Sequence, residues 1–416
     1  MKINLLFLLA LVFSSFAFAQ EVKCGEKELQ LSQYIADNDH KKAIELWKDL
    51  KTSCPNYSEK IYLSCSRELQ YQIEIADSKD KESKVNDLLD LYNQYDKYFP
   101  NNKNGNYEKR AITLFTYKVG KPEDLYYFLN QAFEKEKETF ANSQAIYNYF
   151  EFYFTHYKEN KSIIPLEQLL DKYCAVSSLI SENSKKFPFN KDEYHRVELA
   201  IDLLLDNILT KENIIPYAQK KIDTNSIDNT WLESTAKALF KKCKNNSIFE
   251  IVAKKLDDVN PSSISAYYLA TYYLNTGNQD NAIEYYKKSA EISSDPIEKA
   301  TTYYAIATIT ATSDRATSEK MIFKALESNP KNGRYYVFLA NLYANSFEEC
   351  ATNEIEKKGI YKLASNTVLK AAIVESRLKP TADAMSVEYL KKSVFDSKTK
   401  VKSVKIGCWI QQTVQF

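Results

Sequence analysis

Pro261, Pro296 and Pro330 stand 35 and 34 residues apart, and each falls between two segments whose apolar residues recur at helical spacing. A fixed period of this length constrains the fold more than anything else in the chain. One period is a pair of helices that cannot bury its apolar faces alone and must stack on its neighbours. The stretch from Ser263 to Pro296 is the fullest. With Ser263 as position 1, Leu269 takes 7, Ala270 takes 8, Tyr273 11, Gly277 15, Ala282 20, Tyr286 24 and Ser289 27. Small residues at 8, 20 and 27 let two helices approach, larger ones at 7, 11 and 24 fill the space between them, and Gly at 15 permits the turn.

This spacing resembles the tetratricopeptide repeat, a 34-residue helix-turn-helix. Residues 300–332 repeat it with Ile306, Ala307, Ala325 and Pro330, and Asp295-Pro296-x-Glu298 before them reads as an N-cap, a first-turn proline and a capping-box carboxylate. From Gly333, the run Tyr336, Leu339, Ala340, Tyr343 predicts a further first helix; an insertion near 347–358 delays its partner to about Ile360–Arg377. Upstream, 230–261 carries Ala236, Phe240, Phe249, Ala253 and Leu256. Near the start, Leu31, Tyr34, Ala43, Trp47 and Pro55 fall at 8, 11, 20, 24 and 32 counted from Cys24. Between 140 and 229 the helical period persists but the register is lost. The expected organisation is a leader over 1–19, repeats over 20–139, divergent helical repeats over 140–229, repeats over 230–379, and a terminal helix and tail over 380–416. The expected fold class is all-α, an α-solenoid of tetratricopeptide-like repeats with a short non-repeat tail.

Composition agrees. With 7 Gly and 10 Pro in 416 residues, turn-formers supply about 4% where about 12% is usual, too few for hairpin-rich β architectures. Many of the 31 Tyr must then fill interior positions of helices. Lys2, the apolar run Leu5 to Phe13 and Ala17-Phe18-Ala19 form an export signal with cleavage after Ala19. No second apolar run of spanning length follows, so no integral membrane segment is expected in the mature chain, which is placed in the periplasm or at the outer membrane. The 56 Lys+Arg nearly cancel 55 Asp+Glu, so the chain as a whole is not built for nucleic acid.

Chemistry is sparse. His40, His156 and His195 have no second His or Cys at ligand spacing, so neither a metal site nor a cofactor is expected, and no nucleophile elbow or phosphate loop occurs. An enzyme is not indicated. The seven cysteines say more, since exported thiols tend to pair. Cys24 and Cys54 open and close the first antiparallel helix pair and so meet; Cys350 and Cys408 form a second candidate pair tying the insertion to the tail. Cys65, Cys174 and Cys243 remain, and Cys65 takes a core position.

The tail Val404-Lys405-Ile406-Gly407-Cys408-Trp409-Ile410, with Leu342-Tyr343-Ala344…Cys350 and the opening Cys…Pro repeat, is similar to a group of secreted bacterial tetratricopeptide-repeat proteins. The likeness departs at Cys243 and over the shortened region 380–403. It implies an exported scaffold for an unknown protein or peptide partner. The expected binding face is the row of first helices, with Tyr267, Thr271, Tyr304, Arg334 and Asn341 as candidate groove residues beside Ile264, Leu274, Thr301, Thr308 and Val337. The tyrosines leave the core register and so offer contact area, while Arg334 and Asn341 offer polar grip. The alternatives are a glycan-binding accessory protein at the outer membrane and an unrecognised enzyme in 140–229.

Overall fold

The computed structural model describes residues 22–222, 228–395 and 401–416, so the expected leader lies outside the described residues. The chain divides into two compact units, one ending at Leu205 and the other beginning at Asp206. The break falls inside the stretch whose repeat register cannot be read from sequence.

The first unit holds α1 (22–36), α2 (His40–Ser53), α3 (Glu59–Ile75), α4 (Lys81–Tyr98), α5 (Asn106–Tyr117), α6 (Pro122–Lys135), α7 (Ser143–Glu159), α8 (Leu166–Lys186) and α9 (Lys191–Leu204). Helices α2 to α6 pack successively; α7 packs on both α8 and α9, closing the unit as a three-helix cluster instead of another hairpin. The second unit holds α10 (Lys211–Ile222), α11 (Asn229–Lys242), α12 (Ser247–Val259), α13 (Ser263–Asn275), α14 (Gln279–Ile292), α15 (Pro296–Thr310), α16 (Arg315–Ser328), α17 (Gly333–Ala344), the single turn α18 (Phe347–Cys350), α19 (Glu354–Val374) and α20 (Lys379–Ser393). Here the hairpins α11–α12, α13–α14 and α15–α16 stack in order, and α17 pairs with α19 across the insertion. The fold class is therefore all-α, a solenoid of tetratricopeptide-like helix pairs.

Helix starts explain how so few Gly and Pro suffice. Asp39, Ser58, Asn142, Asp228, Asn246, Ser262, Asn278, Asp295, Asp314, Asn332 and Asn353 each accept a first-turn backbone N–H with the side chain. Polar caps thus mark the boundaries. The capping box expected at Asp295 does not close: Glu298 Oε2 accepts from Ser293 and Ser263 Oγ, and Ser293 Oγ takes the Asp295 N–H. Glycine serves positive φ at Gly120 (+85°) and Gly277 (+83°).

The repeat positions pack as their sizes require. Ala270 and Ala282 are fully buried, Tyr286 fills the space beside them, and Ser289 Oγ reaches across to Ser263 O at 2.8 Å. Tyrosine recurs because the hydroxyl finds a partner beyond its own helix. Tyr95 donates to Glu59 (2.7 Å), Tyr149 to Asn130 (3.1 Å), Tyr173 to Asp202 (3.0 Å), Tyr194 to the Ala141 carbonyl (2.6 Å) and Tyr343 to Glu319 (2.6 Å), and all five rings are buried. Phenylalanine would leave those acceptors unsatisfied.

The tail closes the second unit. β1 (Ser403–Lys405) and β2 (Thr413–Gln415) pair antiparallel, with Val404 opposite Val414, both buried. Val404 Cγ1 occupies the space that a Cβ on Gly359 of α19 would need, and Trp409 stacks on Tyr343 of α17 at 6.0 Å. Gln412 Nε2 donates to Tyr343 Oη (2.8 Å). Disulfides join Cys24 to Cys54 and Cys350 to Cys408; Cys65, Cys174 and Cys243 are buried. Burial raises the Cys65 and Cys243 thiols, the latter to about 11, which leaves them poor nucleophiles.

Two stability predictions follow from this end of the molecule. Gly359→Ala lowers unfolding free energy by about 1–3 kcal/mol through overpacking against Val404, although alanine favours the helix by about 1 kcal/mol; adding Val404→Ala recovers part of the loss in urea titration. Cys350→Ser with Cys408→Ser, opening a 58-residue separation, costs about 4 kcal/mol, slightly more than opening the 30-residue separation of Cys24 and Cys54. Thermal melts of the two double variants rank them.

Candidate functional site

The row of first helices, α13, α15 and α17, presents the face expected to bind. On α13, Ile264 is 48% exposed, whereas Tyr267 is half-buried with its ring edge-on to Tyr286 (5.4 Å) and tilted against Phe240 (6.1 Å). Thr271 is 6% exposed, and its hydroxyl is shared between the Tyr267 carbonyl and Tyr286 Oη. On α15, Tyr304 lies against Tyr335 (5.1 Å) and Phe338 (5.3 Å) of α17. The two tyrosines are thus partly buried packing residues, each in contact with two neighbouring aromatic rings.

The open surface is made by neighbours. Ile264, Tyr267, Ile297 and Thr301, with Ser263, Ser289, Glu298 and Thr302, line a cavity of about 210 Å³ between the starts of α13 and α15. Ile297, directly after Pro296 in the first turn of α15, is 62% exposed. Thr301, Thr302 and Thr308 each donate to the carbonyl four residues back, Ile297, Glu298 and Tyr304 respectively. Their donors are spent on the helix, so the wall is apolar in character, and Glu298 is its one anionic group.

A second cavity, about 440 Å³, opens at the start of α17 and is lined by Asn329, Lys331, Asn332, Arg334, Glu375 and Arg377. Glu375 accepts the Gly333 N–H at 2.9 Å and pairs with Arg377, whose hydrogen bond holds the Glu375 carboxyl below the usual range. The helix start is therefore occupied by Glu375, while Lys331 and Arg334 stay exposed. Burial raises the Tyr335 hydroxyl, and the side chains of Thr301, which lines the first cavity, and Asn332, which lines the second, oppose the rise. The two cavities are neighbours along one edge. Asn341 stands apart, its Oδ1 accepting from Tyr389 of α20 at 2.7 Å.

Of the candidates named from sequence, the structure places Tyr267 in the apolar cavity with Ile264 and Thr301, puts Arg334 in the polar one, buries Thr271, and turns Tyr304 and Asn341 toward neighbouring helices. Ile297, Glu298, Lys331 and Arg377 were not anticipated. Ile297 carried a signal, an exposed-phase apolar residue in a first turn; Arg377 carried none, because it reaches the site only through the antiparallel return of α19. Among the described residues no group of three or more His, Cys, Asp or Glu is placed to hold a metal ion, and no helix is long and apolar enough to cross a membrane.

No family model matches the chain, and no curated protein matches it. Among solved structures, it is similar to the TPR2AB domain of yeast Sti1 in complex with pHSP90 (15% identity, TM-score 0.25, 79% of this chain and 98% of that one). It is also similar to yeast Tom70 (15%, 0.27, 92% and 82%) and to the apo form of the quorum sensor NprR from B. thuringiensis (13%, 0.25, 89% and 99%). At these scores the molecules do not superpose as wholes, and the fold assignment rests on the helix pairs of this chain.

The packing of the tyrosines fixes what truncation does. Tyr267→Ala and Tyr304→Ala each lower stability by about 2 kcal/mol through lost ring contacts, whereas Ile264→Ser leaves the melting temperature unchanged; differential scanning calorimetry separates the two classes.

Proposed function

We propose that the protein is an exported, non-enzymatic scaffold that holds a segment of another protein along the starts of α13, α15 and α17. The observation that carries this reading is the adjacency of an apolar cavity, at Ile264, Tyr267, Ile297 and Thr301, and an exposed cationic rim, at Lys331 and Arg334. The pair suits a peptide that buries one apolar side chain and sets an acidic group a few residues away. Export is supported by the two disulfides, which persist in oxidising compartments, together with the leader-like start of the sequence. A periplasmic or outer-membrane-associated site follows from that reading.

A photo-crosslinking amino acid at Ile264 or Thr301 is expected to trap a discrete partner in intact cells, while the same group at Lys287, exposed on α14, traps none. Ile264→Glu with Arg334→Glu then abolishes the adduct formed from Thr301 at unchanged melting temperature. Equal trapping from Lys287, or an adduct that survives the double charge change, would sink the proposal.

A further inference from the structure

The near-zero net charge conceals a segregation. Residues 354–416 hold 12 Lys+Arg against 6 Asp+Glu, a net of +6; because the whole chain is +1, the 353 residues before them carry −5. Three of these lysines, Lys358, Lys392 and Lys402, meet where α19 begins, α20 ends and the tail hairpin returns. Lys358 of α19 sits 4.8 Å from the centre of the Phe395 ring just beyond α20, and Lys392 of α20 sits 5.2 Å from Tyr361 of α19. The two pairs cross between antiparallel helices, each cation over the other helix's aromatic. Phe416 packs edge-on to Phe395 at 4.8 Å, and its N–H donates to the Lys402 carbonyl at 3.1 Å, which brings the tail's own lysine to the same corner.

Most carboxylates on these elements have partners of their own, and Glu388 also feels Lys392. Glu354 pairs with Lys357 and Glu388 with Lys391, while Glu356 accepts from Thr352. Among the described residues no carboxylate pairs with Lys358, Lys392 or Lys402. Apolar surface lies open beside them: Val394 is 66% exposed and Phe416 39%. The cations at this corner are lysines, compact and strongly hydrated, without the planar fork that reads one phosphate or base bidentately. The ammonium groups of Lys358 and Lys392 sit over aromatic rings, and Lys392 and Lys402 are exposed, so cations and apolar side chains share one surface, as in side chains that straddle an interface.

We propose that this corner docks the protein on an anionic phospholipid bilayer surface, with Phe416 and Val394 entering the headgroup boundary and Lys358, Lys392 and Lys402 facing the lipid phosphates. Lysines beside apolar and aromatic side chains are what interfacial binding requires, and charge complementarity selects anionic over neutral lipid. The corner lies on α19, α20 and the tail, apart from the two cavities, so docking stands or falls independently of peptide binding.

Purified, disulfide-intact protein is sedimented with vesicles of 30% phosphatidylglycerol in phosphatidylcholine, and with phosphatidylcholine alone, at low and physiological salt. Binding to the first, absent from the second and weakened by salt, is expected. Lys358→Gln, Lys392→Gln and Lys402→Gln together lower partitioning about a hundredfold, at about fivefold per lysine; Phe416→Ser lowers it without changing net charge. A control triple of equal charge, Lys48→Gln, Lys60→Gln and Lys97→Gln, binds as the parent, and circular dichroism checks that every variant is folded. Equal binding to neutral vesicles, equal loss in the control triple, or retention on polyglutamate with none on vesicles would overturn the proposal, the last in favour of an acidic protein partner.

Discussion

Close approach of antiparallel helices across alanine and serine is the constraint on which this structure depends. Where Ala270 faces Ala282, and Ser289 spans to the start of α13 with a hydrogen bond, the two backbones of a pair come near enough that one tyrosine fills the wedge between them. The same proximity puts tyrosine hydroxyls within reach of neighbouring helices and connecting segments. Tyr95, Tyr149, Tyr173, Tyr194 and Tyr343 are thus at once apolar wedges and polar links, and burial of their rings and the satisfaction of their hydroxyls are one event.

A stack of helix pairs has an apolar face left over at its end, which a capping element must cover. In the second unit α20 packs on α19, and the rest of the cover is a hairpin. It is admitted by the missing side chain at Gly359, held by Val404 and Trp409, and tied to the α17–α19 insertion by Cys350–Cys408. The insertion that interrupts the last repeat therefore has a structural purpose: it positions the cysteine that retains the cap. The same return of the chain carries Lys402 and Phe416 to the ends of α19 and α20, so closure of the core and formation of the basic corner have one cause.

Much of the fold was legible because it is local. Polar caps, prolines at repeat ends and the 7, 8, 20, 24, 27 pattern each act within one helix pair, and both disulfides join residues whose meeting follows from antiparallel pairing or from an insertion lying beside a tail. The candidate site was legible only in part. Helical phase places Tyr267 and Tyr304 on the first-helix face, but phase does not report that Phe240 and Tyr335 from adjacent pairs would claim their rings. Asn341 was read as open and is exposed, but sequence does not report that its Oδ1 accepts from Tyr389, 48 residues later. Between 140 and 229 the helices were visible and their partnering was not, because α7 packs on α9 as well as on its sequence neighbour.

What the sequence determined by itself is the class of structure: a 34-residue period with small residues at fixed positions admits stacked helix pairs and little else, since no other arrangement buries those stripes. What only the tertiary structure decided is which surface stays open. Exposure depends on residues from other pairs, as when Ile297 and Arg377 reach the binding edge and Thr271 leaves it. The charge balance shows the same division, for a count near zero is a property of composition, whereas the gathering of lysines at one corner arises only when α19, α20 and the tail are folded together.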